Sequence, residues 1–294
     1  MKKASKKRLV IAAAAALLFL FSAVMVKLFF PGGGEECVTD NIEFVPENCE
    51  QIQYGFSGRG RELYAYRFGK GENVLVMTFC IHGFEDNFPR DGNALVYTAN
   101  RVMEEIPKWE PAENGWSIYV LPCCNPDGLL DGVSGEGPGR CTTAVYGASG
   151  ELYFGVGADI NRCFPVCWEP ISETRYYNGD SPLACPEAEA LADFILDVKG
   201  EGQNFCIDVH GWYQQILPSA GKNSALFKVF STFFPQNTYA DVNKGCGYFA
   251  AYAALVGYES CLFEFPGDVN SMEDFRRSGY CGDFISAVKL LVGG

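Results

Sequence analysis

The clearest indication of the fold is the segment Asn73-Val-Leu-Val-Met-Thr-Phe-Cys-Ile-His-Gly-Phe-Glu-Asp86. An uninterrupted apolar run that stops at a glycine-containing turn predicts a buried strand, from Val74 to Ile81. The residues that follow this strand include His82 and Glu85, two side chains that can bind a metal ion. The stretch therefore predicts a central strand with a polar site at its carboxyl end.

A second apolar run ends in the same way. Phe205-Cys-Ile-Asp-Val209 precedes His210 and Gly211, and the chain contains only two histidines. Taken singly, either histidine could be a hydrogen-bonded polar residue at the end of a strand. Asp208, two residues before His210, is either an acid that orients a metal-bound histidine or a buried acid that pairs elsewhere. Because both histidines follow apolar strands and precede glycine, we interpret His82, Glu85 and His210 as a two-histidine, one-carboxylate set. Such a set holds one catalytic Zn²⁺ and leaves a fourth position for water.

A third candidate is Glu264, which lies within the apolar run Ser260-Cys-Leu-Phe-Glu-Phe-Pro266. A carboxylate in such a strand is costly unless it has a partner or a task. Near a zinc ion it could take a proton from the bound water and pass it to the leaving amine. The alternative is an acid at a strand end that pairs with an arginine.

The remaining patterns alternate between strand and helix, which predicts an α/β protein with a sheet between helical layers. In such sheets, ligand sites lie beyond the carboxyl ends of the strands. Residues 129–158 are rich in glycine and lack periodicity, which predicts a long loop. The predicted strands are Leu63–Phe68, Val74–Ile81, Ser117–Leu121 and Ser260–Pro266, and the clearest predicted helices are Gly92–Ile106, Pro186–Lys199 and Asp283–Val292.

The N-terminus predicts a separate segment. Five basic residues within positions 2–8 precede an uncharged apolar run, Leu9 to Val26. This pattern predicts a signal-anchor or transmembrane segment at residues 1–30, with the N-terminus inside the cell and the catalytic domain outside, or a secreted protein if the segment is cleaved. Residues 31–51 are predicted to be a spacer that leads into the domain, and residues 52–294 the catalytic domain.

The charge of the remaining chain excludes one class of partner. Residues 1–30 contain six of the 23 basic residues and none of the 36 acidic ones, so the rest of the chain has a net charge of −19. Nucleic-acid-binding proteins need a basic face, so we expect no nucleic-acid partner. The chain has 13 cysteines, export permits disulfides, and Cys37 with Cys49 is the pair we expect first.

Five motifs, taken in order, resemble the zinc carboxypeptidase family, the carboxypeptidase A-like metallopeptidases. The resemblance covers roughly residues 52–292, and carboxypeptidase A is itself a known His₂Glu zinc enzyme. The turn Ser57-x-x-Gly60-Arg61 and the stretch Pro182-x-x-x-Pro186-Glu187 also resemble elements of this family. The five motifs are His82-x-x-Glu85, Asn125-Pro-Asp-Gly128, Asp159-Ile-Asn-Arg-x-Phe-Pro165, His210-Gly211 and Glu264.

The resemblance implies a mixed, twisted sheet of roughly eight strands in a three-layer α/β/α fold. It implies one Zn²⁺ bound by the three proposed ligands, with Glu264 as general base and acid. Arg140 would stabilise the oxyanion, and Asn161 and Arg162 would hold the terminal carboxylate of a peptide substrate. The activity implied is hydrolysis of a peptide bond at or near a free carboxyl terminus.

Several points stay open at this stage. The tyrosine that covers the substrate is either Tyr239 or Tyr248, and the side-chain pocket is expected around Gly245–Tyr252. Cys163 stands where the family often has asparagine. An enzyme facing a bacterial wall would act on cell-wall stem peptides, at a γ-D-glutamyl to diamino-acid bond. The alternatives are a zinc deacylase of acyl-amino acids and a catalytically inactive peptide-binding module of the same fold.

Overall fold

A computed structural model describes residues 42, 44–111 and 113–293 of the chain. The predicted N-terminal segment, residues 1–30, and Cys37 lie outside these residues, so both remain predictions. In the part of the chain that is described, no helix has the length and apolar character needed to cross a membrane. Cys49 forms no disulfide there, and its Sγ lies 3.3 Å from the carbonyl oxygen of Pro46.

The described residues form a mixed sheet of eight strands, in the order β1-β2-β4-β3-β8-β11-β9-β10. The four central strands, β4, β3, β8 and β11, run parallel, and antiparallel neighbours flank them on both sides. The strands in chain order are β1 (Glu50–Phe56), β2 (Glu62–Phe68), β3 (Asn73–Phe79), β4 (Trp116–Leu121), β5 (Ser134–Cys141), β6 (Ala144–Tyr146), β7 (Leu152–Phe154), β8 (Asn204–Gly211), β9 (Gln215–Pro218), β10 (Thr238–Tyr239) and β11 (Glu259–Phe265).

Helices cover both faces of this sheet. On one face, the rings of Phe230 and Phe284 pack against Phe263 of β11 with centroids 4.9 and 5.5 Å apart. On the other face, helix and strand side chains share a second apolar cluster that includes Val76, Phe194 and Phe249. The helices are α1 (Gly92–Glu105), α2 (Pro126–Asp131), α3 (Pro186–Asp197), α4 (Ala225–Phe233), α5 (Phe249–Leu255), α6 (Met272–Ser278) and α7 (Tyr280–Leu291). The three-layer α/β/α fold with a mixed eight-stranded sheet is therefore confirmed.

The sheet brings the ends of three sequence-distant strands together. Strand β8 pairs in parallel with β3 on one side and with β11 on the other. His210 of β8 lies in register with Glu264 of β11, and Val209 lies in register with Phe79, the last residue of β3. Because parallel strands end at the same edge of a sheet, the residues that follow β3 meet the ends of β8 and β11.

The prediction of a long loop at residues 129–158 was wrong in part, because this segment contains regular secondary structure. It contains the end of α2, the strand β5 and a hairpin of β6 and β7, in which Val145 pairs with Tyr153. Strand β5 includes three glycines and a proline, residues that are depleted in strands and therefore carry no strand signal. Its extended shape depends on tertiary contacts, and these cannot be predicted from the local sequence.

Candidate active site

Three side chains at the carboxyl edge of the sheet converge on one point. The Nδ1 atom of His82 lies 3.2 Å from Oε2 of Glu85, and the Nδ1 atom of His210 lies 3.0 Å from Oε1 of the same carboxylate. One donor atom from each of the three residues lies within 4.8 Å of the others, and all three side chains are buried. The predicted set of two histidines and one carboxylate is therefore assembled.

In each histidine ring, Nδ1 faces this point and Nε2 faces away from it. The hydrogen bond made by Nε2 fixes this orientation of the ring. Nε2 of His82 lies 2.8 Å from Oδ1 of Asp159, and Nε2 of His210 lies 2.9 Å from Oδ2 of Asp208. A carboxylate accepts hydrogen bonds, so each Nε2 carries a proton, which leaves Nδ1 of each ring as the nitrogen that can present a lone pair to a cation at the centre. These lone pairs then face the oxygens of Glu85, an arrangement of acceptors that a bound cation makes favourable. Two imidazoles and a carboxylate are ligands that suit Zn²⁺.

The electrostatics of the cluster agree with a cation site. Burial would raise the pKa of Glu85, but His82 and His210 outweigh it and lower that pKa to about 2. Burial would lower the pKa of His210, yet the carboxylates of Asp208 and Glu85 raise it well above its ordinary value. The carboxylate of Glu85 therefore stays ionised and favours positive charge at the centre.

Glu264 lies in the same cavity as the three ligands. Burial, with the nearby charge of Glu85, raises the pKa of Glu264 to about 7, although His210 acts in the opposite direction. Its Oε2 lies 3.5 Å from the backbone N–H of Tyr213, at the limit of a hydrogen bond. Among the described residues, no arginine or lysine forms an ion pair with Glu264, so the alternative of an arginine-paired acid has no support.

Arg140 is buried beside the metal ligands. Its Nη2 lies 3.4 Å from Oδ2 of Asp159 and its Nη1 lies 3.7 Å from Oε2 of Glu85. Burial would lower the pKa of Arg140, but these two carboxylates outweigh it and raise the pKa. The guanidinium is therefore a fixed positive charge at the edge of the zinc site.

Asn161 and Arg162 follow Asp159 in a short turn of 3₁₀ helix, Ile160–Arg162. The Oδ1 atom of Asn161 accepts a hydrogen bond from the backbone N–H of Phe249, which orients its Nδ2 toward His210, 3.2 Å from Nε2. The guanidinium of Arg162 lies 4.5 Å from the ring centroid of Tyr248. Within the described chain, Arg162 forms no ion pair with a carboxylate.

All seven residues predicted for the site line one cavity of about 230 Å³. Of the two candidate covering tyrosines, Tyr248 lines this cavity, whereas Tyr239 lies outside its lining and packs edge-on against Phe227. The predicted pocket wall at Gly245–Tyr252 contributes only Tyr248. The further lining residues are Arg175, Tyr176, Tyr213, Gln215, Leu217 and Leu262.

The acids that orient the histidines were missed or left undecided. Asp159 was part of a motif but had no assigned role, and Asp208 was considered either an orienting acid or a residue paired elsewhere. The signal was available for Asp208, because a residue two positions before a histidine in a strand points to the same side of the sheet. No such local rule connects Asp159 with His82.

The Asn-Pro-Asp-Gly motif has a structural task in this chain. Asp127, at the start of α2, is fully buried and accepts hydrogen bonds from Ser57 Oγ at 2.9 Å and from the backbone N–H of Arg59 at 2.8 Å. Its carboxylate also pairs with Arg61. Glu187 completes the arrangement by accepting a hydrogen bond from the N–H of Gly58 at 2.9 Å. These motifs therefore hold the turn between β1 and β2 against α2 and α3.

A buried two-histidine, one-carboxylate centre at the edge of a mixed α/β sheet defines the class of zinc-binding metallopeptidases. The family model described as zinc carboxypeptidase, peptidase M14, matches residues 38–266. The chain belongs to this family and carries its zinc-binding triad, His82, Glu85 and His210, intact.

Curated relatives agree with this assignment. Bacteriocin BCN5 of Clostridium perfringens is 38% identical over 251 residues, which is 84% of this chain and 26% of the bacteriocin. Mast cell carboxypeptidase A of Homo sapiens is 26% identical over 189 residues, 62% of this chain and 44% of that protein. The chain thus spans about a quarter of the length of the bacteriocin and less than half of the human enzyme.

Solved structures share the fold. Bovine thrombin-activatable fibrinolysis inhibitor, in complex with tick carboxypeptidase inhibitor, superposes with a TM-score of 0.63 at 19% identity, covering 87% of this chain and 93% of that one. Murein-tripeptide amidase MpaA from Escherichia coli O157 superposes with a TM-score of 0.56 at 20% identity, covering 86% and 94%. At these identities the likeness establishes the carboxypeptidase A-like fold.

Proposed function

We propose that this protein is a zinc metallocarboxypeptidase, which hydrolyses a peptide bond at or near a free carboxyl terminus. One observation carries the proposal: a cavity next to the zinc triad contains an acid and a guanidinium, Glu264 and Arg162, that form no ion pair with any described residue. Zn²⁺, when bound by the triad, supplies a Lewis acid that activates water and polarises a carbonyl. The other roles fall to side chains of this chain.

Arg162 is the residue that binds the terminal carboxylate. A guanidinium grips a carboxylate through two parallel hydrogen bonds, and no carboxylate of the described chain competes for this one. The ring of Tyr248 and the hydrogen bond from Arg162 Nη1 to the carbonyl of Asn161, 2.8 Å long, hold it in place. The Nδ2 group of Asn161, which lines the same cavity, can donate a hydrogen bond to the same carboxylate.

Glu264 is the general base and acid. Its pKa of about 7 suits a group that must accept a proton from water and return it to the leaving amine near neutral pH. Arg140, fixed by Asp159 and Glu85, is placed to stabilise the negative charge that develops on the carbonyl oxygen. The positions of Arg162, Glu264 and Arg140 around the cavity account for binding of the substrate, attack by water and departure of the amine.

For the substrate, we propose a stem peptide of the bacterial cell wall, cleaved at a γ-D-glutamyl to diamino-acid bond. Two names among the similar proteins support this choice: a bacteriocin at 38% identity and a murein-tripeptide amidase of the same fold. The N-terminal pattern of basic and apolar residues supports membrane attachment with the domain outside the cell. Labelling intact cells with a membrane-impermeant reagent tests that location, and a domain that reacts only after lysis would contradict it.

The alternatives make different predictions. A zinc deacylase would hydrolyse acyl-amino acids in preference to peptides, and assaying both compounds with the same preparation separates the two activities. An inactive binding module would retain peptide without product. The uncommitted acid in the cavity, Glu264, favours catalysis over binding alone.

The decisive experiment compares the parent with Glu264→Gln on a peptide library, with and without a chelator. We expect product only from the metal-loaded parent, and a loss of about 10²- to 10⁴-fold in kcat for the variant, with unchanged zinc content. A variant as active as the parent would exclude the assignment. Purified wall stem peptides form a second substrate set, and their survival beside cleaved library peptides would remove the wall proposal alone.

A further inference from the structure

The loop that carries two of the zinc ligands is conformationally strained. Between β3 and α1, three residues other than glycine have left-handed backbones: Cys80 with φ 52°, Asp86 with φ 77° and Arg90 with φ 56°. Each costs roughly 1–2 kcal/mol for an L-residue. His82 and Glu85 lie between the first two of them, so contacts from outside the loop must hold both ligands in place.

The carboxylate of Asp91 supplies such contacts. Its Oδ1 accepts a hydrogen bond from the backbone N–H of Glu85 at 2.6 Å, and its Oδ2 accepts one from the N–H of Asn87 at 2.7 Å. These two N–H groups belong to the residues on either side of Asp86, which has the largest positive φ of the three. Asp91 is fully buried and forms no ion pair with a lysine or arginine of the described chain, so its hydrogen bonds to N–H groups are what stabilise it.

A third hydrogen bond reaches the other ligand-bearing strand. The indole Nε1–H of Trp212 donates to Oδ2 of Asp91 at 2.9 Å, and Trp212 lies two residues beyond His210. The indole also packs against Phe88 and Phe265, with centroids 5.5 and 6.1 Å away. Phe265 directly follows Glu264. The contacts of Asp91 and Trp212 therefore involve residues next to the zinc ligands and next to the proposed base.

We propose that Asp91 is a positioning residue for the zinc site, and that its hydrogen bond to Trp212 fixes the spacing between Glu85 and His210. The residue touches neither metal nor substrate. It acts because ligands held in the correct geometry before binding do not have to be ordered by the metal. The inference rests on the zinc triad and is independent of which bond the enzyme cleaves.

Two variants and one control test this role. Asp91→Asn replaces one acceptor oxygen with an NH₂ group that faces an N–H, while Trp212→Phe removes the indole N–H together with part of the ring. Trp116→Phe is the matched control, because Trp116 is also buried but stacks on Phe205 at the opposite end of the sheet. Zinc affinity is measured by chelator competition, and ligand geometry by the visible spectrum of the Co²⁺-substituted protein, both without substrate.

We expect zinc affinity to fall about 10- to 100-fold in Asp91→Asn, with an altered Co²⁺ spectrum. In Trp212→Phe the fall should be smaller, and in Trp116→Phe absent. A folded Asp91→Asn protein with parental zinc affinity and spectrum would overturn the proposal. If Asp91→Asn does not fold, Trp212→Phe decides: a zinc affinity equal to that of the control overturns the proposal. Because no substrate is used, a failed peptidase assignment would leave these results unaffected.

Discussion

Nε2 of His82 and Oδ1 of Asp159 lie 2.8 Å apart, although 77 residues separate them in sequence. The same carboxylate oxygen accepts a hydrogen bond from the N–H of Asn161 at 3.0 Å, and the other oxygen lies 3.4 Å from Arg140. Asp159 therefore contacts a metal ligand and two of the residues proposed to bind substrate, Asn161 and Arg140. One buried acid links zinc binding to substrate binding.

We predict that Asp159→Asn weakens zinc binding about 10- to 100-fold. An amide is a weaker acceptor than a carboxylate, so it holds the tautomer and orientation of His82 less firmly. Chelator competition measures the effect. Asp241→Asn is the control, since Asp241 also accepts a backbone N–H in a short turn but lies outside the cavity lining. Equal zinc affinities in the two variants would contradict the role of Asp159.

We predict that Arg162 recognises the carboxylate at the C-terminus of the substrate. Replacing it with glutamine removes a charge-assisted hydrogen bond to the terminal carboxylate, worth about 1.5–3 kcal/mol, and should lower kcat/KM about 10- to 100-fold on peptides with a free carboxyl terminus. Amidated peptides, which lack that charge, should be cleaved equally by parent and variant. Steady-state kinetics on the paired peptides measures this, and a parallel loss on both would argue against carboxylate recognition.

Most of the predicted site residues have a local signal, because they follow an apolar strand or lie in a motif with its own spacing. His82 and His210 directly follow apolar runs and Glu264 lies near the end of one, and general rules of parallel sheets bring the ends of such strands together. Arg140 was named only from the family resemblance. The order of the strands and the register of His210 with Glu264 come from the tertiary structure. The local sequence therefore identifies the candidate residues, but it does not predict which of them lie side by side in the sheet.

Other residues of the site could not be predicted from the local sequence. Asp91 lies in a polar loop and resembles a simple helix cap, and only the fold brings Trp212 to within 2.9 Å of it. Leu217 and Leu262 line the cavity from two antiparallel strands, β9 and β11, in which they pair directly. Periodicity marks such residues as buried, but does not tell which apolar side chains border a cavity.

Metal removal should lower stability. A ligand that binds only the folded state stabilises it by about 4 kcal/mol at a free concentration 1,000 times its Kd, so the Tm should rise with zinc and fall with chelator. His210→Ala, which removes one of the three ligands, should show little dependence on zinc. Calorimetry or thermal circular dichroism measures both proteins. An equal zinc-dependent rise in the variant would show that the stabilising ion binds elsewhere.

Glu187 links stability to pH. Burial, reinforced by the charge of Asp127, raises the pKa of Glu187 to about 7 in the folded protein, despite a hydrogen bond from the N–H of Gly58. The unfolded pKa is about 4.3, so at low pH the group is protonated in both states. As pH rises toward 7, the unfolded state ionises first, and stability is lost by about 4 kcal/mol in total.

Glu187→Gln removes this pH dependence, because glutamine is neutral in both states and keeps an acceptor for the N–H of Gly58. We expect the free energy of unfolding of the variant to exceed that of the parent by an amount that grows by about 3 kcal/mol between pH 5 and pH 8. Urea unfolding in excess chelator measures it without contributions from metal. Glu189→Gln, an exposed acid in the same first turn of α3, is the control and should follow the parent. A difference that stays constant with pH would mean that Glu187 is already ionised in the folded protein.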